Sequence, residues 1–195
     1  GKYFSPHQEL VDDAIKYAGA HNVLLVHIAG NDGLDIDTVM NYPNPEMEKG
    51  HEKSAVFITV GATSSGPDSL IVARFSNYGR SVVDLFAPGV KIYSTVPGNQ
   101  YETYSGTSMS APVVTGIAAL LLEYYPGLSA RQLKYVITHS VMKIPGSNVK
   151  MATGQTVDFK TLSAGGGVVN AYNAIKLAAT LKGEAGKGLR MRPIH

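Results

Sequence analysis

Residues 104–112 read Tyr104-Ser105-Gly106-Thr107-Ser108-Met109-Ser110-Ala111-Pro112, a serine behind glycine and threonine at the mouth of an apolar helix. The first turn of a helix presents unpaired N–H groups and the positive end of the macrodipole, which stabilise developing negative charge. A serine there can therefore act as a nucleophile. Taken alone, it is ordinarily just an N-cap. A second polar group stands at Ala29-Gly30-Asn31-Asp32-Gly33, where an apolar run ends in a turn signal. Asn31 can donate a hydrogen bond to a reacting oxygen, or it can bond only its own backbone. The chain holds six histidines: His7, His21, His27, His51, His139 and His195. All six read as structural or surface residues. Asp32, Asp35 and Asp37 form a short acidic cluster without the Gly and Glu of an EF-hand loop. It reads as a solvated loop.

The elements that must hold these residues alternate between strands and helices. Ser5-Pro6-His7-Gln8 has the form of a capping box, with Leu10, Val11, Ala14, Ile15 and Ala18 on one helical face. The continuous apolar run Val23–Val26 predicts a strand buried on both faces. Residues 32–54 read as a long loop. Strands are predicted at Ala55–Ala62, Val82–Ala87 and, shorter, Val90–Val96. A helix runs from Ser108 through Tyr125. Ser129-Ala130-Arg131-Gln132 opens another, reaching about Ser140. Residues 141–164 have hairpin character, and Val169–Leu181 is the last helix. The alternation predicts an α/β fold with a mostly parallel sheet flanked by helices.

Composition bounds what the whole can be. A length of 195 residues with 44% hydrophobic and 16% charged residues suits one domain with a real core. A net charge of +2 argues against a nucleic-acid partner. The absence of cysteine excludes disulfide scaffolds and thiolate metal sites. The apolar run Ala111–Leu122 is short for a membrane span and reads as a core helix. Residues 182–195 read as a flexible basic tail behind a domain covering 1–181.

The string Gly106-Thr107-Ser108-Met109-Ser110-Ala111-Pro112 closely resembles the nucleophile motif of the subtilase family of serine peptidases. It is not a Gly-x-Ser-x-Gly elbow, because position 110 is Ser. Ala29–Gly33 resembles the family's oxyanion segment. Ala73-Arg74-Phe75-Ser76-Asn77-Tyr78-Gly79, Asp84–Val90 and Gly165–Ala171 resemble further family segments in the same order. The resemblance covers about residues 1–180. It implies Ser108 as nucleophile and Asn31 as oxyanion donor beside the Ser108 backbone N–H. In subtilisin itself, removing such a donor costs about 10²–10³ in turnover. It also implies that Ile28, Ala29, Gly30 and Asn41 wall the primary substrate pocket, with Ile28 narrowing it.

The family runs Asp, His, Ser along the chain, and no histidine here stands in a His-Gly-Thr-like motif. The resemblance therefore implies an incomplete three-layer subtilisin-like domain, its catalytic Asp and His lying upstream of Gly1. On that reading this chain alone has little or no peptidase activity. It also needs a partner to cover an unpaired strand edge: the N-terminal part of the domain, or a second copy. Polypeptide is the implied substrate. No cofactor is implied beyond calcium as a structural ion. The family-level location is secreted or cell-envelope. A noncatalytic binding protein on the same scaffold is the alternative from another class, and a non-peptide acyl hydrolase a third.

Overall fold

A computed structural model describes residues 7–39, 41–43, 53–64, 72–144, 146, 148–151 and 154–185. Helix α1 (Gln8–Ala20) leads into strand β1 (Leu25–Ile28), followed by β2 (Phe57–Thr63) and β3 (Leu85–Pro88). A hairpin of β4 (Ile92–Val96) and β5 (Gln100–Tyr104) precedes the long helix α2 (Thr107–Tyr124). Helix α3 (Ala130–His139) is followed by β6 (Met142–Lys143), then the hairpin of β7 (Asn148–Lys150) and β8 (Thr156–Asp158). A 3₁₀ turn at Phe159–Thr161, β9 (Gly167–Val168) and α4 (Ala171–Ala178) complete the order.

The main sheet has the order β1-β2-β3-β9-β6, parallel except where β6 meets β9. Side chains alternate across it, as a strand's period of two requires. Ile58, Val60, Leu85 and Ala87 enter one cluster with Val114, Ala118 and Leu121 of α2 and residues of α3 and α4. Phe86 points the other way, into a second cluster with Ala29, Val83, Phe159 and Val168. β2 is buried along its whole length, as its apolar run predicts. α2 packs across β1, β2 and β3, so the most apolar stretch of the chain is a core helix of this sheet.

Several local expectations shift. The strand predicted at Val23–Val26 lies at Leu25–Ile28 and is half-buried, because among the described residues β1 is the sheet edge with a neighbour on one side only. The first helix begins later than its capping pattern predicts, at Gln8. His7 occupies the cap position without a side-chain bond, and the first helical bonds run from Leu10 N and Val11 N to His7 O. Ser5 and Pro6 lie outside the described residues. The second box does form: Ser129 Oγ accepts from Gln132 N, and Gln132 Oε1 accepts from Ser129 N. The last helix starts at Ala171 with Asn170 as its cap, because Val168 is taken up in the sheet. The start of the basic tail is tied down. Gln132 donates to Lys182 O, Gln132 Oε1 accepts from Glu184 N, and Ala185 N donates to Gly127 O. Residues 186–195 lie outside the described residues.

Candidate active site

Ser108 sits in the first turn of α2, exposed, with no hydrogen bond from its Oγ to another described residue. Two contacts dock that turn onto the end of β3, and a third ties that end to β2. Gly106 N donates to Gly89 O at 2.8 Å, Ser110 Oγ donates to Ala87 O at 3.0 Å, and Gly89 N donates to Thr63 O at 2.9 Å. Any Cβ on Gly89 would collide with Ser110 Oγ and press on Ala62 and the Gly106 carbonyl, so only glycine allows this approach.

Asn31 meets the same turn from the end of β1. Its Oδ1 accepts from Thr107 N at 3.0 Å and Thr107 Oγ1 at 2.8 Å. A side chain 76 residues away thus satisfies one of the orphan amides at the start of α2. With Oδ1 engaged, Nδ2 remains as a donor. A Cβ built on Gly106 would lie 3.5 Å from Asn31 Nδ2 and 3.7 Å from Ser108 N. Two N–H donors therefore flank one small space kept open by a glycine.

A cleft of about 490 Å³ opens beside Ser108, between Ile92, Val96 and Tyr104 of the hairpin and Met109 and Val113 of α2. Ile28, Ala29, Gly30 and Asn41 do not line it. Ala29 is fully buried in the second core cluster, and Gly30 is buried with φ of +100°. Asn41 is buried, its Nδ2 donating to Ala29 O at 2.8 Å. Ile28 is half-buried on the edge strand. Asn41 thus braces the turn from within, and Ala29 is core.

Two members of the acidic cluster bond backbone amides. Asp35 Oδ1 accepts from Asp37 N, and the Asp37 carboxylate accepts from Ser81 N and Val82 N. Among the described residues no three His, Cys, Asp or Glu converge as metal ligands. None of the described histidines lines the cleft. His21 stacks on Tyr17 and His139 on Tyr135. His27 packs against Phe57, and burial lowers its pKa.

The model of the subtilase family matches residues 2–172. The chain belongs to the subtilase family. This subtilase is 34% identical over 166 residues to thermitase of Thermoactinomyces vulgaris, covering 85% of the chain and 49% of that protein. It is 32% identical over 167 residues to alkaline elastase YaB of Bacillus sp. (strain YaB), covering 85% of the chain and 36% of the relative. A crystal structure of a cold adapted subtilisin-like serine proteinase superposes with a TM-score of 0.60 at 31% identity, covering 80% of this chain and 50% of that one. The subtilase cytotoxin SubAB assembly shares the fold, with a TM-score of 0.70 at 24% identity. The chain thus spans about half, or less, of the length of these relatives.

Proposed function

We propose that this subtilase chain is the nucleophile- and oxyanion-bearing part of a serine endopeptidase. The observation that carries the reading is the Asn31–Thr107 lock, which leaves Asn31 Nδ2 and Ser108 N beside one open space. Ser108 Oγ attacks the carbonyl carbon of a peptide bond and passes its proton to a base. The oxygen, now negative, accepts from Asn31 Nδ2 and Ser108 N, both held in place before charge develops. Collapse expels the amine, which takes the proton, and water then releases the acyl group from Ser108.

The base and its orienting carboxylate come from polypeptide outside this chain. Support for that is the placement of the described histidines away from the cleft, the edge position of β1 among the described strands, and the length of the relatives left unmatched. The same polypeptide covers β1 and the exposed apolar residues of α2, Leu120 and Leu122. Its source is the N-terminal part of the same domain, and the setting is secreted or cell-envelope.

Fluorophosphonate labelling followed by intact mass measurement tests the reading. The chain assembled with a segment bearing the Asp and His should take one label, lost in Ser108→Ala. An assembly that hydrolyses peptide and labels equally well as Ser108→Ala would overturn it.

A further inference from the structure

The turn that carries Asn31 is not self-supporting. Gly30 has φ of +100° and Gly33 +66°, so the backbone from Ala29 to Leu34 follows a path that local interactions do not close. Most of the closure comes from Asn77, which is 1% exposed and lies in the segment after β2, beside the Asn41 bond to Ala29 O and the bonds of Gly33 N to Phe75 O and of Tyr78 N to Leu34 O. Its Oδ1 accepts from Asp32 N and Leu34 N, both at 3.0 Å. Its Nδ2 donates to Ala29 O at 2.9 Å and to Asp32 Oδ2 at 3.3 Å. Its backbone N donates to Gly30 O at 2.9 Å. Asn31 is thus flanked on both sides by groups that a single buried carboxamide holds. A Cβ on Gly30 would lie 2.6 Å from Asn77 Nδ2, so the packing is close as well as bonded.

We infer that Asn77 is the positioning residue of this site: it fixes the backbone on which Asn31 reaches Thr107. The inference rests on the reading of Asn31 as oxyanion donor. An asparagine is suited to the task because one planar group offers two acceptor directions and two donors. All are used here, as a buried amide requires. Leucine is near it in size but would strand two amides. Aspartate would keep the acceptors but set a carboxylate against Asp32 and the Ala29 carbonyl. The effect on chemistry follows from geometry, because a donor displaced by about 1 Å can cost on the order of 10²-fold in rate.

The test has two arms. In the isolated chain, the side-chain amide resonances of Asn31 report its lock on Thr107. Asn77→Ala should move them towards free-amide values, and Asn77→Ser, which is smaller but keeps one hydrogen bond, should move them part-way. In the peptide-hydrolysing assembly, Asn77→Ala should lower kcat about 10–100-fold with KM changed less than threefold. It should add little on top of Asn31→Ala. If Asn77→Ala does not fold, Asn77→Ser carries both arms. Unchanged Asn31 resonances, or a loss in KM alone, would overturn the inference. A silent Asn31→Ala would instead contradict the oxyanion reading, while the resonances would still decide whether Asn77 holds the turn.

Discussion

Gly106 offers a sharper handle on the site than Ser108 itself. A methyl group there meets only ordinary van der Waals neighbours, yet two of the three nearest are Asn31 Nδ2 and Ser108 N. Gly106→Ala should therefore leave the melting temperature of the chain within about 2 °C. Turnover in the assembled peptidase should fall about 10²-fold or more, because the methyl fills the space between the two donors. Thermal melts and steady-state kinetics on the same preparation check both halves. His27 makes a separate prediction at this scale. Burial lowers its folded pKa below 6.5, so the unfolded chain binds a proton at higher pH than the folded one. Its contribution is fully present above about pH 6.5 and is lost as pH falls through the lowered folded value. Urea unfolding at pH 7.5 and pH 5 should show the loss, and His27→Gln should flatten it.

Among the elements, the start of β3 is pinned by a half-buried ion pair. Asp84 Oδ2 accepts from Thr59 N at 2.8 Å, and Asp84 Oδ1 lies 3.4 Å from Lys134 Nζ of α3. Lys134 also donates to the carbonyls of Phe57 and Ser54. Burial raises the Asp84 pKa against the opposing pull of Lys134. Lys134→Met should cost about 1–3 kcal/mol by taking the cation from that carboxylate, and adding Asp84→Asn should recover part of the loss. Denaturant titration of the single and double variants measures the difference. Legibility in the sequence followed the range of the interaction. The Ser129–Gln132 box and the apolar run of β2 are local patterns, and both are as expected. Strand β5 was not foreseen. Its five residues are all exposed and polar or aromatic, and it exists by pairing with β4. The helix start at Ser108 and the turn at Asn31 were legible, but the bond between them spans 76 residues and was not. Asn77 stands in the Ala73–Gly79 segment, yet the three residues its side chain bonds lie 43–48 residues away and leave no local pattern.

For the molecule as a whole, the open side is as informative as the site. Among the described residues β1 has one sheet neighbour, Val23 near its start is 47% exposed, and α2 exposes Leu120 and Leu122 at 39% and 41%. Exposed apolar residues and a strand edge with no partner among the described residues favour association. Leu120→Glu should make the isolated chain less prone to self-associate in sedimentation velocity, and should weaken its assembly with the Asp- and His-bearing segment. The most direct test of the account is the intact mass of that assembly after fluorophosphonate treatment. The account predicts a single adduct on this chain, mapped to Ser108, absent from Ser108→Ala and slowed in Asn31→Ala. An adduct on another residue, with peptide hydrolysis intact in Ser108→Ala, would contradict it.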